Sequence, residues 1–182
     1  MSEQYKKGSS SRVTLSQLML PSHSNFSGKI HGGYLLSLMD QIAFACGSKF
    51  SGQYCVTASV DRVDFLNPIE VGELVTLKAS VIFVGNSSMV VGIRVEAQNI
   101  QTGKVKHCNS SYFTMIAKDS EGNNARVPRL ILTSKEEVLR FVKTTQRLKL
   151  RHSYAELCAD FHGDLEQAIM DLKQQFDVRI EL

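Results

Sequence analysis

The chain has 182 residues, of which 43% are hydrophobic, and it carries a formal net charge of +3. This length suits one globular domain with an appendage, or two small domains with modest cores. The mild charge permits an anionic small ligand, but no Lys/Arg-rich block interleaved with aromatic residues predicts a nucleic-acid surface. No apolar run predicts a membrane span, and the polar N-terminal residues do not resemble a secretory signal.

Four cysteines and five histidines are spread along the chain. No Cys-x-x-Cys pair occurs, and the histidines do not stand at zinc-ligand distances from the cysteines, so we expect no zinc site. The cysteines are interpreted as four reduced thiols of a cytoplasmic protein. The sequence also lacks the glycine-rich motifs of dinucleotide and P-loop phosphate sites, so neither fold is supported.

The N-terminal part is predicted to pass from a disordered arm into one strand and one long helix. Residues 1–11 are rich in serine and lysine and form the arm, and residues 12–20 alternate imperfectly as a first strand. After a turn-rich loop, the stretch from Tyr34 to Phe50 has few breakers and a length that favours a helix. Apolar residues cover most of its helical wheel, which indicates a buried helix.

A narrow polar stripe interrupts that apolar surface. The stripe consists of Ser37, Asp40, Gln41 and Ser48. The stripe either touches water, or faces a cleft in which Asp40 is a working carboxylate, since burying an unpaired aspartate is costly. The pattern of the helix alone leaves both interpretations open.

Four strands are predicted after the helix, because the hydrophobic period changes to two. They cover residues 54–65, 74–84, 88–98 and 104–117. The turn signals at Gly85-Asn86 and Thr102-Gly103 predict hairpins, so the strands run largely antiparallel. An α+β fold follows, in which a curved antiparallel sheet wraps around one long central helix, and this architecture is the hot-dog fold.

The C-terminal third is predicted to be a helical extension. Residues 119–133 form a polar linker, and Ser134 with Glu137 forms a capping box that begins a helix over 134–148. A second helix is predicted over 153–176, with an amphipathic stripe that packs on the domain or on a partner subunit. The predicted organisation is therefore an arm (1–11), a hot-dog domain (12–132) and a helical extension (133–182).

Two glycines stand where the long helix begins. Gly32 and Gly33 either form a tight loop-to-helix junction or leave backbone N–H groups open to a ligand. Such donors, with the positive end of the helix dipole, suit a negative charge that develops on an oxygen atom. Together with Asp40 two turns further on and Asn25 in the preceding loop, they would form an acyl-transfer site.

Two motifs carry a resemblance to a known family. The first runs from Asn25 through His31-Gly32-Gly33 to Asp40, and the second is VDRVDFLNPIEVG over residues 60–72. Over residues 12–132 the chain resembles the acyl-coenzyme A thioesterases of the hot-dog superfamily. Its motifs are most similar to those of the bacterial YciA-like enzymes and the brain-type cytosolic acyl-CoA hydrolase.

The resemblance implies hydrolysis of acyl-CoA to a free fatty acid and coenzyme A, with no metal or redox cofactor. Asn25 of one subunit and Asp40 of the facing subunit would form each site, so the protein would be a homodimer at least and, as a trimer of dimers, a homohexamer. Asp40 would act as general base or as nucleophile, Asn25 would position water or the carbonyl, and the Gly32 and Gly33 amides would polarise that carbonyl.

The same resemblance implies where the substrate binds. The coenzyme would lie near one turn, which consists of Gly85, Asn86, Ser87 and Ser88. His31, where the family often has phenylalanine, would add a hydrogen bond near the thioester.

Two rival functions remain open at this point. A hot-dog enoyl hydratase or dehydratase usually pairs a histidine with an acid, and His31 lies nine residues from Asp40, which is poor pairing. A non-catalytic acyl-CoA sensor or scaffold would use the helical extension to bind its partner, and would not need both Asn25 and Asp40. Asp61 and Asp64 are interpreted as structural or subunit-contact residues, with Arg62 as an ion-pair partner.

Overall fold

The protein is described by a computed structural model that covers residues 4–157 and 163–175. Strands β1 to β7 of this part span Tyr5–Lys7, Val13–Leu18, Tyr54–Val60, Glu73–Val84, Ser88–Asn99, Val105–Lys118 and Arg129–Ile131. Helices α1 to α3 span Gly32–Ser51, Lys135–Leu157 and Leu165–Gln175. Across these described ranges, no helix is both long enough and apolar enough to cross a membrane.

Five strands form one antiparallel sheet in the order β2-β4-β5-β6-β3. Helix α1 packs across this sheet and contacts every one of its five strands. The buried side chains of β4 alternate with half-buried ones, as the period of two predicts. The predicted hot-dog fold, with its curved antiparallel sheet around one long helix, is therefore confirmed.

Helix α1 begins at Gly32, two residues before the predicted start, and buries one continuous side. The fully buried residues on that side include Met39, Ile42, Cys46 and Phe50. The helix ends where the sequence predicts, because Gly52 adopts φ 73° and its N–H donates to the carbonyl oxygen of Ser48 at 2.8 Å. Only glycine takes this left-handed conformation without strain.

Strand β3 is shorter than predicted, and it lies at one edge of the sheet. It ends at Val60 instead of residue 65, and its register with β6 shifts between Thr57 and Ser59. The chain that follows still lies along β6, since the Asp61 N–H donates to the Tyr112 carbonyl oxygen at 2.9 Å. The bulge turns the end of β3 and redirects the chain out of the regular ladder.

The prediction of a disordered arm is wrong for residues 5–11. Strand β1 pairs in parallel with β7, and a short 3-10 helix follows over Gly8–Ser11. The buried Ser11 hydroxyl donates to the Gly8 carbonyl oxygen at 2.6 Å and accepts from the Val81 N–H at 2.8 Å. These long-range bonds hold a segment whose local composition favours disorder.

The extension also differs from its predicted boundaries. The predicted linker contains β7, which pairs with the N-terminal strand. Helix α2 runs without a break through residues 149–152, because no glycine or proline interrupts it, and the Ser153 hydroxyl donates back to the Lys149 carbonyl oxygen at 3.3 Å. The predicted helix over 153–176 is divided between α2 and α3. Phe161 and Phe176, which belong to the predicted amphipathic stripe of that helix, lie outside the described residues.

The capping box at the start of α2 is confirmed in its first half. The Glu137 N–H donates to the Ser134 hydroxyl at 3.2 Å, and the Glu137 carboxylate accepts from the Thr133 N–H at 2.6 Å. The hydrogen bond from the Thr133 N–H holds the pKa of the Glu137 carboxyl below its usual range.

Helix α2 also packs on the domain through an aromatic pair, in which the centroid of the Phe141 ring lies 5.0 Å from that of the Phe83 ring. The chain divides into two compact units, residues 1–145 and residues 146–182. The predicted domain boundary at residue 132 falls inside the first unit.

Three buried thiols give a testable consequence of this packing. Cys46, Cys55 and Cys108 are free and buried, and burial raises the pKa of the Cys46 thiol to about 12 and also raises that of Cys108. A raised pKa leaves scarcely any reactive thiolate at pH 8. In a Cys158→Ser variant, we expect no rapid reaction with Ellman's reagent while the protein is native, and three reactive thiols once it is unfolded. One fast native thiol would contradict this burial.

Candidate active site

An open groove runs beside the exposed side of α1. The residues that line it are Gly33, Leu36, Ser37, Asp40, Val60, Asp61, Val63 and Phe113. The polar stripe of the helix thus lines an open groove at Ser37 and Asp40, while a working role for the Asp40 carboxylate stays a prediction. Asp61 lines the same groove, although the sequence favoured a structural role for it.

Asp40 is the best-placed carboxylate of this groove, and one hydroxyl orients it. The Thr57 Oγ1 donates to Asp40 Oδ1 at 2.6 Å, and it also lies 3.5 Å from the Met115 sulfur. Thr57 lies two residues after Cys55, which packs against Gly47 of α1, so the alternation of the strand places the Thr57 hydroxyl on the same side, just before the register shift of β3. Asp40 is exposed to solvent, and its second oxygen remains open to a water molecule or a ligand.

Asn25 is held by its own loop in a way that leaves one end of its amide available. Its Oδ1 accepts from the Ser27 N–H at 3.0 Å, the Ser27 hydroxyl at 2.7 Å and the Lys29 N–H at 3.1 Å. This Asx turn fixes the side chain and leaves Nδ2 as a donor that contacts none of the described residues. Asn25 lies outside the residues that line the groove of its own chain.

The mouth of α1 differs from the expectation in one respect. His31 is the N-cap residue, and its Nδ1 accepts the Gly33 N–H at 2.9 Å. Of the two predicted amide donors, only that of Gly32 is therefore unengaged within the described part of the chain. A Cβ at Gly33 would lie 2.9 Å from His31 Cε1, so the His31 ring would have to move, whereas one at Gly32 would lie 3.2 Å from the exposed Phe65 ring, which is only a tight contact.

The turn predicted to lie near the coenzyme is bound by the segment that follows β6. Arg129 donates from Nη1 to the Gly85 carbonyl oxygen at 3.0 Å and from Nη2 to Asn86 Oδ1 at 3.3 Å. The Ala117 N–H donates to the Ser87 carbonyl oxygen at 2.9 Å, and Ser88 closes the hairpin by accepting from the Gly85 N–H at 2.8 Å. The turn lies outside the residues that line the groove.

Two residues of this arrangement were missed by the sequence analysis. Thr57 carries no local signal, since a threonine in a strand is ordinary and its bond to Asp40 joins residues 17 apart. Arg129 was assigned to a polar linker, and only the folded chain places it on the Gly85-Asn86 turn. The predicted ion pair between Arg62 and Asp64 is present at 2.8 Å, where both side chains are largely exposed.

The sequence of this chain is similar to those of known proteins. The family profile described as "Thioesterase superfamily" matches residues 27–104. The chain is 38% identical over 140 residues to protein VdlD of Helicobacter pylori, across 77% of this chain and 80% of that one. It is 34% identical over 150 residues to the uncharacterized acyl-CoA thioester hydrolase YkhA of Bacillus subtilis, across 80% and 87%.

Solved structures are similar over still more of the chain. An apo hexameric acyl-CoA thioesterase superposes with a TM-score of 0.81 at 33% identity, covering 84% of this chain and 97% of that one. An acyl-CoA hydrolase from Staphylococcus aureus, in complex with butyryl coenzyme A, coenzyme A and coenzyme A disulfide, superposes with a TM-score of 0.78 at 29% identity, covering 93% and 99%. Further structures of that enzyme carry alanine in place of an asparagine, an aspartate or a threonine.

The family follows from these similarities in sequence and structure, which span most of the chain and most of each relative. Asp40 and the glycines at the start of α1 belong to the first of the two motifs on which the resemblance was based. The chain belongs to the thioesterase superfamily, within its hot-dog acyl-CoA thioester hydrolases.

Proposed function

We propose that this protein hydrolyses acyl-CoA thioesters to a free fatty acid and coenzyme A at the groove beside α1, in the cytoplasm and without a metal or redox cofactor. The observation that carries the proposal is Asp40, a carboxylate oriented by the Thr57 hydroxyl in a groove that reaches the N-terminus of a 20-residue helix. A thioester carbonyl is already electrophilic, so a positioned base and a few donors are sufficient catalysts.

In the proposed reaction, Asp40 acts as general base. With Oδ1 engaged by Thr57, Oδ2 takes a proton from water as the water oxygen attacks the thioester carbon. The tetrahedral intermediate then collapses, the carbon–sulfur bond breaks, and the coenzyme A sulfur takes the proton back from Asp40. The alternative, attack by Asp40 itself to form a mixed anhydride, uses the same geometry.

Negative charge on the carbonyl oxygen needs donors at the helix mouth. The Gly32 N–H is unengaged in the described chain and points from the positive end of the α1 dipole. Loss of one such donor typically costs about 10²–10³ in rate. The Gly33 amide reaches this oxygen only if its bond to His31 Nδ1 is broken or relayed.

Asn25 is proposed to serve the same oxygen or the attacking water through Nδ2. The relative from Staphylococcus aureus supports this assignment. In its alanine variants, the asparagine precedes the aspartate by 15 residues and the aspartate precedes the threonine by 17. Asn25, Asp40 and Thr57 have the same two spacings.

The site is proposed to lie between two copies of the chain. Strand β3 is an edge strand, and exposed apolar side chains surround it, including Tyr54, Val60 and Phe65. A second copy that covers this edge would bury them and bring a second Asn25 toward the groove. The solved relatives named as hexameric support assembly of such dimers into a homohexamer.

The coenzyme is proposed to lie near the turn over residues 85–88. Arg129 contacts that turn and offers a positive charge to a phosphate group. His31 and Gly32 would meet the thioester at the other end of the ligand.

The experiment that tests the function is release of free coenzyme A from a panel of acyl-CoAs of increasing chain length. We expect turnover with at least one member, and the panel gives the chain-length preference. Tight binding of every acyl-CoA without release of coenzyme A would favour the sensor, and hydration of an enoyl-CoA without hydrolysis would favour the hydratase.

The bond between Thr57 and Asp40 provides a narrower test of the proposed base. Thr57→Val removes the donor and keeps the shape, so Asp40 loses its orientation and we expect kcat to fall about tenfold. Thr57→Ser keeps the hydroxyl and is the matched control, which should stay within about threefold of wild type. Equal rates in the valine and serine variants would contradict the orienting role of this hydroxyl.

A further inference from the structure

Asn25 lies on a short hairpin, residues 23–31, that precedes α1. At the open end of the hairpin the His31 N–H donates to the His23 carbonyl oxygen at 2.9 Å, and near its turn the Asn25 N–H donates to the Lys29 carbonyl oxygen at 2.7 Å. An antiparallel bridge lies between these two bonds. The hairpin therefore moves as a unit, and its first strand runs from His23 to Asn25.

The amide of Asn25 is fixed relative to this hairpin. Its Oδ1 accepts three hydrogen bonds, from the backbone N–H and the hydroxyl of Ser27 and from the Lys29 N–H. The position of Nδ2 in the molecule is therefore decided by the position of the hairpin itself. What holds the hairpin against the domain determines where this donor lies.

The second strand of the hairpin is bound to residues that follow β3. The Ile30 N–H donates to the Ile69 carbonyl oxygen at 2.9 Å, and Lys29 Nζ lies 2.6 Å from a carboxylate oxygen of Glu70. These contacts hold the strand that leads directly into α1. The first strand, which ends at Asn25, contacts α1 at a different place.

The His23 ring joins that first strand to α1. It stacks on the ring of Tyr34, with the two ring centroids 4.0 Å apart and the two planes at 18°. His23 Nδ1 also accepts the Leu20 N–H at 3.2 Å, which holds the ring at a second point. Tyr34 lies in the first turn of α1, next to Gly33, which lines the groove.

Tyr34 is in turn fixed to the sheet. Gln17 of β2 donates from Nε2 to the Tyr34 hydroxyl, and the half-buried Tyr34 ring packs against the hydrophobic core. Each ring of the stack is thus held by a hydrogen bond as well as by its neighbour. Such a pair is a firm support, because a stacked aromatic contact adds to the energy of burial.

We propose that the stack of His23 on Tyr34 positions Asn25 for hydrolysis, so that both are positioning residues that act through Asn25. This inference rests on the proposed hydrolysis and on the role of Asn25 in it. A displacement of about 1 Å at a reacting group can cost about 10² in rate. Loss of the stack releases the first strand of the hairpin while the contacts of the second strand remain, so the amide moves without unfolding the domain.

The first test compares substitutions that remove the stack with one that keeps it. His23→Ala and Tyr34→Leu should each lower kcat about tenfold and change KM little, because Asn25 acts in the chemical step. Tyr34→Phe keeps the ring and loses only the hydroxyl, so it should stay within about threefold of wild type. Equal kcat in the leucine and phenylalanine variants, both folded by thermal unfolding, would overturn the proposal.

The location of the effect distinguishes positioning from a general loss of stability. In a dimer of one Asn25→Ala chain and one Asp40→Asn chain, the intact site uses Asn25 of the second chain. Dimers dissociated from hexamers and purified through a different tag on each chain isolate this pairing. His23→Ala in the Asp40→Asn chain should lower turnover about tenfold, and in the Asn25→Ala chain it should leave turnover within about twofold. Equal losses from both placements would overturn the proposal.

A spectroscopic test depends neither on turnover nor on a shared site. The Asn25 Nδ2 group gives one pair of amide signals in proton–nitrogen spectra of the full-length protein, assigned by their loss in Asn25→Ala. These signals should broaden or split in His23→Ala and Tyr34→Leu, and should stay single and sharp in Tyr34→Phe. Single, sharp signals in all three variants would overturn the proposal. Failure of wild type to release coenzyme A from any acyl-CoA would instead contradict the proposed function, while the spectra would still show whether the stack holds Asn25.

Discussion

Replacing Asp40 by asparagine is expected to lower kcat for acyl-CoA hydrolysis by at least about 10²–10⁴, the usual contribution of a general base. The asparagine has the same shape, and its Oδ1 can still accept the Thr57 hydroxyl that lies 2.6 Å from Asp40 Oδ1. It lacks the second carboxylate oxygen that would take the proton from water. Because Asp40 is exposed and lies outside the core, we expect an unchanged fold.

The measurement is kcat and KM for wild type and variant on the best acyl-CoA of the panel, with thermal unfolding and solution mass recorded for both. KM should change little, since the carboxylate acts mainly in the transition state. Asp64→Asn is the matched control, because Asp64 is also exposed but pairs with Arg62 outside the groove. A variant at Asp40 that hydrolyses as fast as wild type would leave the fold intact and move the base elsewhere, with Asp61 in the same groove as the next candidate.

A labelling experiment on the wild-type protein helps to distinguish the two roles of Asp40. Many turnovers in ¹⁸O-labelled water would label the Asp40 carboxylate if a mixed anhydride forms and water attacks its aspartyl carbonyl. General-base catalysis leaves that carboxylate unlabelled, because only the fatty acid receives the oxygen of water. Mass analysis of the peptide that contains residue 40 reads the result.

The sequence predicts the central elements of this fold because their signals are local and long. Helix α1 is 20 residues of nearly unbroken helix formers, and β4 and β5 are 12 residues each with a clear alternation. The pairing of β1 with β7 has no such signal, since each strand has three residues and about 120 residues separate them. Strand β1 has a pairing partner only after the sheet has formed, so the composition of residues 5–7 alone favours disorder.

The site shows the same division between local and long-range information. Asp40 stands out because an aspartate interrupts an apolar helix, and Gly32 and Gly33 stand out because they precede it. The Thr57 hydroxyl cannot be found this way, because its bond to Asp40 joins a strand and a helix that meet only in the folded chain. The His31 bond to Gly33 depends on a side-chain rotamer, and it changes which donor at the helix mouth is open.

Mixing two inactive variants should restore activity if the site is shared between subunits. Asn25→Ala and Asp40→Asn are each expected to be inactive alone. In a mixed dimer, one site loses both residues, while the other combines Asn25 of one protomer with Asp40 of its partner and is complete. Random pairing makes about half of the dimers mixed, with one intact site in two, so we expect about a quarter of the wild-type turnover.

The measurement is coenzyme A release from differently tagged variants that are co-expressed, dissociated from hexamers to dimers and purified through both tags, because a hexamer that carries both tags can still contain dimers of one kind. Selecting mixed dimers raises the expectation to about half of the wild-type turnover per protomer. The control is a double variant, Asn25→Ala with Asp40→Asn, co-expressed with wild type: its mixed dimers also keep one residue of each kind, but both come from the wild-type chain. In a shared site each of those residues faces a substituted partner, so the mixed dimers of this control should be inactive. The opposite pattern, with active control dimers and inactive dimers of the single variants, would place Asn25 and Asp40 of one chain in the same site. That outcome would also mean that the exposed apolar residues around β3 contact something other than the second half of the active site.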